Sequence, residues 1–284
     1  MACSNSFLTL DDSSDEKPAD DRPGTRRPGH LHRQAQDTSS GTQTSSGTWT
    51  GSGELGFAST TGNSRSQNVN AKLTLAQETD QWKNSFFADW LRSKGQVTVT
   101  NAQGQAVKQF DTTADRYDFG ASAGYKLDPR SYIVAAGRYE HDDFAAYRWQ
   151  GTVSLGYGYM ALKTDRTQLS FELGPGYTEY QPATGTQTIN GVTVPLREPR
   201  QSQVVARGLV SYKYRITENT AFDDTFLMEA GSKNAYLQND AGLAVSMTKK
   251  LSIKVGFQVR HNSDVLPGIR HTDTLTTTNI VYNL

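Results

Sequence analysis

The sequence predicts an all-β chain, an antiparallel up-and-down transmembrane β-barrel of about twelve strands. Three observations point there. From Trp49 to Leu284, apolar and polar residues alternate in about a dozen runs. A period of two gives each run one apolar and one polar face, because successive strand side chains point to opposite sides. The breaks between runs also alternate between short and longer, as they do in a barrel with tight turns at one end and loops at the other. Finally, each run supplies the ~9–11 tilted residues of a bilayer crossing, while nothing approaches the ~18–20 apolar residues of a membrane helix.

The first run shows Trp49, Leu55 and Phe57 on one face against Thr50, Ser52 and Glu54. Thr61-Gly62-Asn63-Ser64 is a natural turn. The second faces Val69, Ala71, Leu73 and Leu75 outward, and the third Trp82, Phe86, Ala88 and Trp90. A long polar loop over roughly 93–114 follows, with Val97, Val99 and Val107 spaced for a small hairpin inside it. The fourth run carries Tyr117, Phe119, Ala121, Ala123, Tyr125 and Leu127, and turns at Asp128-Pro129-Arg130-Ser131. The fifth is short, about 132–140, with Ile133, Ala135 and Tyr139 outward. The sixth has the clearest stripe: Trp149, Gly151, Val153, Leu155, Tyr157, Tyr159 and Ala161.

The seventh run contains Gly174-Pro175-Gly176, read as a bulge because proline cannot donate to a ladder. A second long loop spans about 180–201. The eighth (Val204, Ala206, Val210, Tyr212), ninth (Phe222, Phe226, Met228), tenth (Ala241, Leu243, Val245) and eleventh (Ile253, Val255, Phe257) are separated by turns at 217–219, 231–234 and 248–250. The last follows a loop through Pro267-Gly268 and ends with Ile280, Tyr282 and Leu284 on one parity. Such a stripe at the terminus resembles the signal read by the barrel-assembly machinery, with Leu284 where an aromatic is usual. An even number of strands puts both termini on one side, the periplasmic side of a bacterial barrel.

Composition narrows the function classes. Lys+Arg and Asp+Glu both number 29, so no net charge points to nucleic acid. Cys3 is the single cysteine, which excludes an intrachain disulfide. Mean hydropathy is −0.63, which a barrel tolerates because only every second residue meets lipid. Residues 1–47 are rich in Ser, Thr, Gly, Asp, Pro and Arg and read as a disordered tail preceding a barrel at 48–284. Phe7, Leu8 and Leu10 are too few for the apolar core of a signal peptide, so none is visible and the true start stays open.

Three segments together resemble one family: Thr61-Gly62-Asn63-Ser64, then Tyr139-Glu140-His141-Asp142-Asp143-Phe144-Ala145-Ala146-Tyr147, then Leu173-Gly174-Pro175-Gly176-Tyr177. In order and spacing they are similar to the domain-of-unknown-function family 481 (DUF481), whose members are named as salt-induced outer-membrane proteins. The resemblance implies a location in the bacterial outer membrane and brings no established activity.

With the apolar parity facing lipid, the other parity lines the lumen. Its candidate binding charges are Arg116, Asp118, Arg138, Glu140, Arg148, Glu172, Arg207, Arg215, Asp223, Glu229, Lys254 and Arg260. Glu54, Lys72, Lys83, Asp89, Lys126, Lys213, Asp240 and Asp273 share that parity. The near-balance of bases and acids fits a charged pore or cavity, and equally a solid salt-bridged interior. His141 beside Asp142 and Asp143 reads as a structured loop end, with Phe144 and Tyr147 at the membrane rim, rather than as a catalytic or metal site. Ser263 near His261 is a weak hint of a Ser–His pair. The tryptophans and Tyr-rich strand ends read as interfacial aromatic girdles.

The reading is therefore an outer-membrane barrel that is no enzyme and needs no metal or cofactor. It acts as a small channel or as a structural, stress-related envelope protein. Its partners are outer-membrane lipid, the assembly machinery, and small solutes or ions, with no nucleic acid. An outer-membrane enzyme acting on lipid and a soluble β-barrel or sandwich are the alternatives.

Overall fold

The computed structural model describes residues 47–60, 65–101, 103–189, 192–267 and 269–284. Thr61-Gly62-Asn63-Ser64, Gly268 and all of the expected tail but Gly47 lie outside the described residues. The strands are β1 (Trp49–Thr60), β2 (Ser66–Glu78), β3 (Trp82–Thr100), β4 (Ala106–Lys126), β5 (Ser131–Asp142), β6 (Tyr147–Lys163), β7 (Thr167–Pro182), β8 (Gly185–Ile189), β9 (Val192–Leu196), β10 (Gln201–Arg215), β11 (Thr220–Gly231), β12 (Ala235–Ser246), β13 (Leu251–Asn262) and β14 (Thr272–Asn283). Twelve of them close into one antiparallel barrel, each beside its neighbour in sequence and β1 beside β14. The remaining two, β8 and β9, form a separate hairpin within the long loop after β7.

Sequence alternation sets the two faces. Leu155, at the middle of β6, is 59% exposed, and Val153, Leu173 and Val204 stand out from the wall in the same way. Glu54, Asp118, Glu140 and Glu229 on the opposite parity are buried. Aromatic rings band the outer face at both ends. Near the loops, Tyr117 stacks on His141 at 5.0 Å and Phe119 on Tyr139 at 5.4 Å. Near the turns, Trp82 meets Tyr125 edge-on at 5.3 Å. A barrel exterior that is apolar between two aromatic bands is the surface of a membrane barrel.

The turns follow local chemistry. In the β4–β5 turn, Asp128 accepts hydrogen bonds from the backbone N–H groups of Arg130 (2.8 Å) and Ser131 (2.9 Å). These bonds, Arg130 first, hold its carboxyl below the usual carboxylate range. Thr164, Thr217 and Thr248 use their hydroxyls in the same way at three later turns.

Four features depart from the sequence reading. The 93–114 segment is mostly ladder: β3 and β4 stay paired from Thr100↔Ala106 inward, with one irregularity at Ser93/Lys94. The alternating valines there continue the strands beyond the barrel wall. Gly174-Pro175-Gly176 makes no bulge. The β6–β7 register is the same before and after it, and Pro175 pairs with Ala206 on its other side. The missing N–H is absorbed because an added Cβ at Gly174 would collide with Leu155 backbone, so the two strands close up only with glycine there. The irregularities of β6 fall instead at Tyr147/Trp149 and Met160/Leu162. The second turns Leu162 outward where strict alternation would have placed Ala161.

The β1–β14 seam is short, with five ladder pairs from Ser52↔Asn283 to Gly56↔Asn279, whereas β1–β2 has twelve. Asn70, Gly56 and Asn279 lie side by side on β2, β1 and β14. Asn70 donates to Asn279 across the glycine at 2.9 Å. A Cβ at Gly56 would overlap both carboxamides, so glycine is what permits the bridge.

The register predicts an asymmetric response to charge. In lipid vesicles, Leu155→Arg costs about 2–4 kcal/mol of folding free energy. Ser154→Arg, pointing into the polar lumen, costs far less. Urea titration of the two variants measures the difference, and equal costs contradict the register.

Candidate functional site: an ion-paired layer across the lumen

Six of the inward charges gather at one level, in the half of the barrel nearer the loops. Arg138 on β5 bonds Glu140 on its own strand and Glu229 on β11, each at 2.8 Å. Three strands, β6, β7 and β10, separate β5 from β11 around the wall. Arg260 on β13 bonds Glu140 and reaches Asp118 on β4 at 2.5 Å. The shorter way round between β13 and β4 passes four strands. These pairs therefore span the lumen and do not merely zip neighbouring strands.

Neutral groups complete the layer. Glu140 accepts from Gln150 (3.1 Å) and from the Tyr236 hydroxyl (3.2 Å). Glu229 accepts from the Thr152 hydroxyl at 3.0 Å. The Arg138 guanidinium lies 4.5 Å from the centroid of the Tyr236 ring, a cation–π contact. Arg116, also buried, is the third guanidinium group of the layer, whose buried carboxylates are Asp118, Glu140 and Glu229. Removing an ion from water costs several kcal/mol, so only a balanced, hydrogen-bonded set is tolerable here. Several buried atoms of the layer, among them Arg116 Nη2, Asp118 Oδ1 and Glu229 Oε1, have no protein partner. Such atoms call for water.

Above the layer sits an apolar cap. Tyr147 and Tyr180 meet edge-on at 4.7 Å, with Ala146, Val265 and Ile269 around them. The Tyr147 hydroxyl donates to the Asp264 carbonyl at 2.5 Å. Asn234, buried, ties the β11–β12 turn to Asn262 (2.9 Å) and to the Asp264 N–H (3.1 Å). Below the layer the lumen is hollow. A chamber of about 470 Å³ lies against Arg138, Glu229 and Thr152 and extends past Tyr132 and Lys83 to Glu78 and Lys163. Towards the turn end, Asp165, Arg166 and Arg215 line a further cavity of about 650 Å³.

The sequence candidates separate into groups. Arg116, Asp118, Arg138, Glu140, Glu229 and Arg260 make the layer. Glu172 and Arg207 pair in the chamber below it at 3.1 Å. Lys254 holds Glu54 and Asp223 at 3.3 Å each, on another part of the wall. Arg215 is exposed at the turn end. Arg148 does not face the lumen. The bulge at Tyr147/Trp149 turns Tyr147 inward and leaves the Arg148 side chain 66% exposed at the rim, 3.7 Å from Asp143. Tyr147 accordingly packs inside the loops and not at the rim, while Phe144 is exposed. Sequence reasoning missed Tyr236, Gln150, Thr152 and Tyr132. Their inward parity was the available signal, but neutral residues on that parity are common.

Ser263 and His261 are engaged separately. The Ser263 hydroxyl accepts from Ala235 N at 2.8 Å, and His261 bonds Thr272 at 2.9 Å. Among the described residues no group of three or more His, Cys, Asp or Glu is placed to hold a metal ion.

Arg260→Ala strands Asp118, takes one of its two arginines from Glu140, and costs about 3–5 kcal/mol. Arg148→Ala at the solvated rim stays within about 0.5 kcal/mol of the parent. Unfolding titrations in lipid compare them, and similar losses would mean that the layer is not where stability resides.

The comparisons with known proteins concern the barrel as a whole. An uncharacterized protein of Escherichia coli K12, YdiY, is 21% identical over 230 residues, covering 81% of each chain. Among solved structures, similarity is found to the COG4313 outer membrane channel from Pseudomonas putida F1 at 12% identity, over 84% of this chain and 96% of that one, with a TM-score of 0.44. The NanC porin is 11% identical over 83% of this chain and 98% of its own, with a TM-score of 0.42. A family profile described as "Protein of unknown function, DUF481" matches residues 53–284. Spanning the barrel from within β1 to the last residue, that match shows that the chain belongs to the DUF481 family.

Proposed function

We propose that this protein is an integral barrel of the bacterial outer membrane that passes ions or small solutes, with the ion-paired layer as its constriction. The observation that carries the reading is the layer itself, with Arg138, Arg260, Glu140 and Glu229 meeting from distant walls above a hollow, polar chamber. Stability alone does not call for such a layer, since replacing buried ion pairs by apolar residues is often neutral or stabilising. Charged side chains in a pore both close it when paired and select ions when apart. The apolar belt and its aromatic bands support a lipid environment and speak against a soluble barrel. Its partners on this reading are outer-membrane lipid, the assembly machinery, and small solutes or ions.

A structural, stress-related role in the envelope is the second reading. It is favoured by the Tyr147–Tyr180 cap lying over the layer. For an enzyme acting on lipid, the separate engagements of Ser263 and His261 offer no support.

Planar-bilayer recording tests the channel. The parent gives small, weakly selective currents. The charge-balanced variant Arg138→Gln with Glu229→Gln raises single-channel conductance several-fold, and neutralising Arg138, Arg207 and Arg260 together shifts the reversal potential towards cations. Folded parent and folded variants that are all silent would defeat the channel and leave the structural and enzymatic readings.

Orientation is tested separately. Gln103→Cys, at the tip of the β3–β4 hairpin, reacts with an impermeant maleimide on intact cells, whereas Asp165→Cys reacts only after the outer membrane is permeabilised. The reverse pattern would turn the chamber to face the outside.

A further inference from the structure

The turn-side chamber carries a charge imbalance that closing the barrel does not require. Its carboxylates are already engaged. Glu78 is held by Lys126 at 2.8 Å and by Lys163 at 3.3 Å. Glu172 pairs with Arg207 at 3.1 Å and accepts from the Tyr132 hydroxyl at 3.0 Å. Two further lysines face the same chamber, Lys83 on β3 and Lys213 on β10, with β4, β5, β6 and β7 between them along the wall. Among the described residues neither forms an ion pair. Lys83 Nζ donates to the Tyr132 hydroxyl at 3.2 Å and sits 4.6 Å from the centroid of its ring. Lys213 is in register with Asp223, but that carboxylate bonds Lys254 at 3.3 Å.

Neutral donors stand between the two lysines. Ser85 and Ser122 share a hydrogen bond of 2.7 Å on one side, and Ser170 and Ser211 line the other. The ion-paired layer closes the chamber above, so it is a cup open towards the turns. Its volume of about 470 Å³ falls within the ~300–1,000 Å³ of small-molecule sites. Unpaired ammonium groups on facing walls of a cup concentrate anions, and clustered serine hydroxyls suit a ligand bearing hydroxyls of its own.

We propose that this chamber is a binding site for a small hydroxylated anion of about the size of a sugar phosphate. Lys83 and Lys213 contact its charge and the serines contact its hydroxyls. The proposal deepens the channel reading by naming what enters the lumen. It rests on that reading's open turn end, not on conduction.

Calorimetric titration of the full chain folded in detergent micelles tests it, with glucose 1-phosphate as probe and glucose and inorganic phosphate as controls. Glucose 1-phosphate binds, and both controls bind at least tenfold more weakly. Lys83→Gln with Lys213→Gln weakens glucose 1-phosphate at least tenfold, and Arg148→Gln at the outer rim leaves it unchanged. Heat-modifiable gel mobility confirms folding. Should the double variant fail to fold, Lys213→Gln alone, which breaks no ion pair, carries the test with a loss of at least threefold. No binding by the folded parent, equal binding of glucose, or indifference to the lysines overturns the site. Inorganic phosphate binding as tightly as glucose 1-phosphate overturns the part assigned to the hydroxyls. A protein silent in bilayers that still binds keeps the site and removes the conduit, and conduction without binding does the reverse.

Discussion

Glu140 is the point on which the interior depends. It takes hydrogen bonds from Arg138, Arg260, Gln150 and Tyr236, groups supplied by β5, β13, β6 and β12. A barrel of twelve strands poses a specific problem. Eight strands can be filled by side chains from the wall, and sixteen leave an aqueous channel. Between those sizes only the longest side chains reach one another, and the longest polar ones are arginine, lysine and glutamate. In this lumen charges make the span, and they must be nearly balanced to be borne at all. In the layer three guanidinium groups meet three buried carboxylates, with Asp89, Asp142 and Asp273 in register beside Asp118, Arg116 and Arg260.

The height of the layer follows from the loops. The longest connections follow β7 and β13, and the one after β13 folds over the mouth, where Val265 and Ile269 pack on Tyr147 and Tyr180. Beneath that apolar cover a charge loses water, so pairing is strongest there. At the other end the connections are tight turns that cover nothing. Charges there stay solvated, and Lys83 and Lys213 can remain without carboxylate partners. One molecule thus has a capped half that holds the ion-paired layer and an open half in which two lysines have no carboxylate partner.

Much of the wall was legible in the sequence, because lipid and lumen impose opposite demands on alternate residues. The stripe Val153, Leu155, Tyr157 says which face is which without any knowledge of the partner strand. Parity fails where the backbone adds a residue. At Tyr147/Trp149 the bulge exchanged the roles of Tyr147 and Arg148, and no composition signal marks that position. Proline at 175 was a reasonable bulge signal, but Gly156 and Gly174 let the strands approach closely enough to keep register. Parity also says nothing about height or bearing around the barrel. Arg138, Arg207 and Arg260 are equivalent by alternation, yet Arg207 pairs with Glu172 while the other two meet on Glu140. Those coordinates come from the ladder registers, which accumulate strand by strand and are not local in sequence.

Barrel closure ties these points together. Joining β1 to β14 brings together residues separated by nearly the whole barrel sequence, and the ladder available for the task is five pairs long. The missing strength comes from inside. Asn70 reaches over Gly56 to Asn279, Asn279 donates to Glu54 at 3.1 Å, and Lys254 bonds Glu54 at 3.3 Å. The linked residues belong to β2, β14, β1 and β13, so the network crosses the seam and anchors it to a strand on each side. An apolar lining could not do this, because dispersion contacts have no fixed partner and would not favour one register of the seam over its neighbours. Directional bonds do, since a slip of one residue at the seam turns Glu54 or Asn279, whichever strand slips, to the lipid face. The polar lumen is therefore as much a condition of the closed fold as of any traffic through it.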